Sequence, residues 1–280
     1  MAARGRGPDF ELRFQTSRWA EDLVLTAFRN TSWIAVRLGA SRYRSDDAVP
    51  DRAGQLKEPD LLLFAMSGLT ADEIRFLETA DFENHTSEDL QEGSAVKNWI
   101  GRANLALEIE FSPYRAAEMS GRHWKPMLTR KRLRKDPPVA PNIWVKEEDV
   151  PRLEGWQSQF EVPIWILQLF DQEAFAIRLD QVLQVRAALQ RPGADLTRIM
   201  NESGIFQKQQ RYDRTDAQGA AEIKPVFLVT PHGSILAGRV EGVVPVAQIR
   251  LSKSKKYITH ILFSGGLVHL TADFLRALPR

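Results

Sequence analysis

Residues 105–112 read LALEIEFS, from Leu105 to Ser112, an apolar run with two glutamates one residue apart. In an extended chain side chains alternate between faces. Leu105, Leu107, Ile109 and Phe111 therefore share one face, and Ala106, Glu108 and Glu110 the other. The first face predicts a core. The second sets like charges side by side, and burial near apolar groups disfavours keeping them ionised. If the strand is half-exposed, water solvates the glutamates. If it is buried, a cation is expected against them: an Arg or Lys, which makes the pair structural, or a hard divalent metal, which prefers oxygen ligands.

Working outward from this strand, the chain alternates strands and helices. Upstream, SRWAEDLVLTAFRNTS predicts a helix capped by Ser17, with Trp19, Leu23 and Phe28 near helical period. A polar, arginine-containing loop covers 41–58. PDLLLFAM follows, and its short continuous apolar run after Pro59 predicts a buried strand. LTADEIRFLETA carries a Thr70 cap with Glu73 three residues later, which predicts a capped helix. Downstream, Ser112 and Pro113 open a predicted helix that runs into a basic segment. NIWV predicts a brief strand, 147–159 a helix, VPIWILQLF (162–170) and EAFAIRL strands, and DQVLQVRAALQ a helix. The expected fold is α/β, a mixed central sheet flanked by helices. A turn near 191–193 divides an expected core, 1–194, from a smaller β-rich C-terminal subdomain or extension, 195–280. In it KPVFLVT, GSILAGRV, AQIRLS, KYITHILFSG and LVHL read as strands before a short helix.

The 280 residues suffice for a substantial core, and the chain has no cysteine, which excludes disulfides, zinc–thiolate sites and cysteine nucleophiles. A cysteine-free chain suits a reducing cytoplasm. No apolar run approaches the ~20 residues of a membrane span, and MAARGRGPDFELRF lacks the apolar region of a secretory signal. The formal net charge is only +2, so the distribution of charge matters more than its total. Arg122 to Lys135, RHWKPMLTRKRLRK, holds seven Lys or Arg and no acid. Smaller basic clusters lie at Lys253–Lys256 and Gln207–Arg214. Such patches suit phosphate backbones, and equally a solvated surface.

Five scattered histidines give no metal-ligand spacing, Ser234 lies in no nucleophile elbow, and no glycine pattern forms a phosphate loop, so no nucleotide cofactor is expected. The acids remain. Asp60, at the head of the buried strand, joins Glu108 and Glu110 as oxygen ligands for one or two Mg2+ ions, with Glu21 on the first helix as an additional candidate. The dipeptide Pro-Asp also occurs at Pro8–Asp9 and Pro50–Asp51, but only Pro59–Asp60 leads directly into a strand-like run. Asp89 and Glu92 are rival candidates for the first carboxylate.

KEPDLLLF followed by LALEIEF resembles the PD-(D/E)xK nuclease superfamily, in the variant of some type II restriction endonucleases that carries glutamate at the lysine position. The resemblance extends from about 21 to 170. It matches Pro59 and Asp60 to the PD element, Glu108 to the following acid, and Glu110 to the lysine position, with Glu110 itself, Lys97 or Lys125 left to compensate for the lysine, and 195–280 left for DNA recognition or dimerisation. It implies Mg2+-dependent, sequence-specific hydrolysis of double-stranded DNA by a homodimer. Asp60, Glu108 and Glu110 would be catalytic and metal-binding, and Lys125, Arg130, Lys131, Arg132, Arg134 and Lys135 would contact DNA. Two other expectations stay open: a non-catalytic DNA-binding protein on a nuclease-like fold, and a structure-specific repair nuclease.

Overall fold

A computed structural model of the chain describes residues 8–39, 56–80, 82–83, 90–112, 143–170, 172–215, 221–251 and 257–279. In chain order the elements are α1 (Pro8–Phe28), β1 (Trp33–Arg37), β2 (Leu61–Ala65), α2 (Ala71–Thr79), α3 (Ala95–Arg102), β3 (Leu105–Phe111), β4 (Ile143–Lys146), α4 (Val150–Phe160), β5 (Ile164–Leu169), β6 (Glu173–Arg178), α5 (Leu179–Leu189), α6 (Leu196–Ser203), β7 (Ile205–Thr215), β8 (Ala221–Val229), β9 (Ile235–Leu251), β10 (Tyr257–Leu270) and α7 (Ala272–Ala277). The fold is α/β, with a seven-stranded mixed sheet in the order β1-β2-β3-β5-β6-β9-β10 and a three-stranded sheet β4-β8-β7.

β1, β2 and β3 form an antiparallel meander, and β5 then lies parallel to β3, pairing Glu108 with Ile166 and Glu110 with Gln168. A parallel neighbour needs a crossover, and α4 belongs to it. β2 is apolar at every position because both faces of the sheet are covered. Leu61, Leu63, Leu105 and Leu107 pack with Val24 and Phe28 of α1 and with Phe274 of α7. On the opposite face Phe64, Ala106 and Ile166 pack with Ile100 of α3, Trp156 and Phe160 of α4, and Phe227 of the small sheet. The Glu108 and Glu110 face is therefore a second core face, not a solvated one.

Several expectations change. The first helix begins at Pro8, not Ser17: Pro8 stands at the first position, where its missing N–H removes no bond. β1 and the helices α3 and α6 were not expected; all are short. GSILAGRV and AQIRLS belong to one continuous strand, β9, and KYITHILFSG and LVHL to another, β10. Their register is unbroken from Tyr257↔Leu251 to Leu270↔Gly238. Gly242, Gly265 and Gly266, at φ of 68°, 63° and 97°, absorb the local kink that would end a strand of other residues. Residues after 195 do not build a sheet of their own. β9 pairs with β6 and extends the main sheet, while β8 pairs with β4, because each earlier strand offers an unsatisfied edge. The basic segment with Lys125, Arg130, Lys131, Arg132, Arg134 and Lys135, the arginine-containing loop from 42 to 52, Asp89, and the helix expected from Ser112 and Pro113 lie outside the described residues, except Ser112 itself.

Candidate active site

The acids come together at one end of the β2–β3 pair. Asp60 continues the ladder one residue ahead of β2: its N–H donates to the Leu107 carbonyl and its carbonyl accepts from Leu38 N–H, both at 2.9 Å. By that register Asp60 stands beside Glu108 on β3. The residue keeps intermediate exposure, but its carboxylate turns inward, Oδ2 accepting from Ile109 N–H at 2.6 Å. Burial pushes the Asp60 carboxyl well above the usual range, and the nearby charges of Glu108 and Glu21 push it further.

Glu108 is 5% exposed. Its Oε1 lies 2.5 Å from Lys57 Nζ, while its Oε2 is buried with no hydrogen-bond partner among the described residues. Burial raises its pKa, Lys57 draws it down, and Glu110 raises it again. Lys57 Nζ also lies 3.1 Å from Asp149 Oδ2. Burial would lower the Lys57 pKa, yet Glu108, Asp149 and Glu110 outweigh it and hold the ammonium charged. Glu110 is half-buried and lines a narrow cleft with Lys57, Glu108, Asp149, Trp144 and Lys146. Gln168, buried on β5, is its partner in the register.

Lys57 reaches this place through the extended segment 56–59, whose Lys57 N–H donates to the Arg152 carbonyl at 3.4 Å. Leu56 packs on α4 at Gly155, where a Cβ would come within 2.7 Å of Leu56 Cδ2. On the other side Gly39 lies so close that a Cβ there would meet the Pro59 carbonyl oxygen at 2.7 Å. The segment is thus clamped between the end of β1 and α4. That clamp, and not sequence spacing, brings the lysine to Glu108.

The sequence-derived candidates separate accordingly. Asp60, Glu108 and Glu110 share one end of the sheet. Lys97 does not reach them; it pairs with the exposed Glu92 at 2.6 Å, which also removes Glu92 as a rival carboxylate. Glu21 is buried near enough to Asp60 to raise its pKa, but its own partners are arginines, Arg37 at 3.0 Å and Arg18 at 3.8 Å. Glu83 shares both arginines. Burial raises Glu21 to about 7 although Arg37 and Arg18 pull it down. Lys57 and Asp149 are the members that sequence reasoning does not single out. The signal for Lys57 is faint: a lysine three residues before the chosen aspartate.

Among the described residues no three His, Cys, Asp or Glu side chains converge to hold a metal ion as they stand. The donor chemistry nevertheless suits a hard cation. Carboxylate oxygens are the ligands Mg2+ takes, and Glu108 Oε2 is a buried acceptor still lacking the partner that buried polar atoms ordinarily have. No family model, no curated protein and no solved structure gives a match to this chain.

Proposed function

We propose that the chain is a Mg2+-dependent endodeoxyribonuclease of the type II restriction kind, hydrolysing phosphodiester bonds of double-stranded DNA as a homodimer in the cytoplasm. The observation that carries this reading is the placement of Asp60 beside the buried Glu108 at one end of the β2–β3 pair, with Lys57 on one Glu108 oxygen and no hydrogen-bond partner among the described residues on the other. Such a carboxylate set is hard to keep in a core for stability alone, because each added acid raises the pKa of its neighbours. Taken without the inserted α2 and α3 and without β4, which joins the small sheet, the order α1-β1-β2-β3-α4-β5 is compatible with the nuclease resemblance of KEPDLLLF and LALEIEF.

In this reading Asp60 and Glu108 hold the ion, with Glu110 as a further ligand or as the base that takes a proton from the attacking water. The bound ion would supply Lewis-acid stabilisation of the charge that builds on the phosphoryl oxygens. Lys57, kept charged by its three acids, adds a second positive group at the same place and orients Glu108. It would supply from upstream of Asp60 the cation that Glu110 replaces in the motif. The basic run with Lys125, Arg130, Lys131, Arg132, Arg134 and Lys135 would hold the DNA backbone.

Incubation of the purified protein with unmethylated phage DNA, in magnesium and in chelator, tests the proposal. Discrete magnesium-dependent fragments are expected, and a smear would replace sequence specificity with structure-guided or nonspecific cutting. Intact DNA at every magnesium concentration overturns the nuclease reading. A second reading is favoured by the Lys57–Glu108–Asp149 contacts: a non-catalytic DNA-binding protein in which that triad is architecture. Glu108→Gln separates the two. Loss of cutting by a stable, DNA-binding variant supports catalysis, whereas a fall in stability in a protein that never cuts supports architecture.

A further inference from the structure

One edge of the cleft is not acidic. β4 alternates buried Ile143 and Val145 with exposed Trp144 and Lys146. Trp144 keeps 40% of its surface open, unusual for so large an apolar side chain. In the small sheet Trp144 stands opposite Leu228 and Phe206, and the next row is Lys146, Val226 and Lys208. On the face away from the core Trp144, Lys146 and Lys208 stand exposed beside the half-buried Phe206 and Leu228, while Val226, between the two lysines, is fully buried. Lys208 Nζ lies 5.4 Å from the Trp144 ring centre. No carboxylate among the described residues pairs with Lys146 or Lys208. Trp144 and Lys146 line the same narrow cleft as Glu108 and Glu110, so these two residues stand beside the acidic site.

We infer that Trp144, Lys146 and Lys208 of the β4-β8-β7 sheet bind an unpaired stretch of DNA, where a duplex end or an opened step frees one strand next to the scissile phosphate, with a base stacked on Trp144 and phosphates held by the two lysines. The inference rests on the nuclease reading for what the neighbouring cleft does, but not for the binding itself. An exposed indole stacks well on a flat ring whose own face is open, which an unpaired base offers and a duplex base, covered on both sides by its neighbours, does not. Two lysines that no carboxylate among the described residues pairs with flank that indole, which suits a phosphate backbone and repels a cationic partner. An exposed cation–π contact is weaker than a base stack. A base therefore displaces Lys208 from the ring and leaves its ammonium free for the phosphate.

The test is fluorescence anisotropy of a labelled single-stranded oligodeoxynucleotide and its duplex, with the full chain in chelator. Trp144→Ala is expected to weaken single-strand binding about tenfold, and Trp144→Phe to restore most of it. The pair Lys146→Glu and Lys208→Glu should weaken binding and flatten its salt dependence by roughly 0.7 for each phosphate that is no longer neutralised. Asp60→Asn should bind at least as tightly as the wild type. Single-strand binding by Trp144→Ala within twofold of wild type, at an unchanged melting temperature, overturns the inference, as does a preference for duplex that ignores Trp144. The two readings fail separately. Trp144-dependent binding by a protein that never cuts in magnesium keeps the platform and removes the nuclease, and cutting with Trp144-independent binding does the reverse.

Discussion

Three carboxyls, those of Asp60, Glu108 and Glu21, have folded-state pKa values raised by burial, and the sign of their effect on stability follows. As pH rises past the ordinary carboxylate range the unfolded chain releases these protons while the folded chain retains them. The folded state then holds more protons, so stability falls with rising pH across that window, which for Glu21 runs from 4.5 to about 7. Asp60→Asn removes one such group and leaves an oxygen to accept from Ile109 N–H. Its melting temperature should exceed the wild-type value at pH 8 by several degrees, about 1 kcal/mol for a domain of this size, and the gain should shrink at pH 5. A variant less stable at both pH values would contradict it. A hard cation between Asp60 and Glu108 would relieve the same repulsion. Millimolar Mg2+ should therefore raise the wild-type melting temperature, and the rise should vanish in Asp60→Asn; equal shifts in both proteins would remove Asp60 from the metal site. Lys57→Met is the converse case. It leaves Glu108 and Asp149 facing each other without their shared cation, and should destabilise by roughly 2–4 kcal/mol in chemical denaturation. That lies at or below the loss for a fully buried pair, because Lys57 keeps 24% of its side chain exposed.

Elements decide whether those residues meet. The 56–59 segment has no helix or strand of its own to fix it, and Gly39 is one jaw of the clamp that does. Gly39→Ala would press a methyl group against the Pro59 carbonyl, a backbone atom that cannot rotate away. The expected result is a loss of about 1–3 kcal/mol together with displacement of Lys57 and Asp60, so that Mg2+ stabilisation is lost with it; an unaltered Mg2+ response would show that the segment can yield. α2 makes a simpler case. Thr70 Oγ1 accepts from Glu73 N–H at 3.3 Å while Glu73 Oε2 accepts from Thr70 N–H at 2.8 Å. Thr70→Ala should destabilise by about 1 kcal/mol without touching the site. That capping box was legible in the sequence because its determinants lie within four residues. β3 was legible for the same reason: LALEIEF alternates cleanly and spans Leu105–Phe111 in the structure. The Lys57–Glu108 contact was not, since the two residues lie 51 positions apart and meet only because Gly39 and Gly155 let the chain pass closely. α3 carries the helical signal too, with Ser94 as cap and Val96, Trp99 and Ile100 at helical spacing, but it spans only eight residues and has a glycine inside it.

At the scale of the whole molecule, local pattern identified strands but not their neighbours. GSILAGRV reads as a strand from its own residues; that it should pair with EAFAIR follows only from the edge β6 presents once β5 covers its other side. The division near 194 therefore follows a turn in the chain and not a boundary in the core. Removing 195–280 would strip β9 from β6 and expose the β6 edge. It would take Phe274 away from Trp165, whose rings meet edge to face at 5.8 Å. It would also remove Phe227 and Val229, fully buried against Ile143 and Val145 of β4. Each loss bares apolar surface that no remaining element can cover, and a bare sheet edge beside it invites pairing with another chain. Residues 1–194 expressed alone should accumulate as insoluble protein, and limited proteolysis of the full chain should yield no stable fragment ending near 194. A soluble 1–194 that melts cooperatively would show instead that the meander, β5 and their helices form a self-sufficient core to which the later strands are additions.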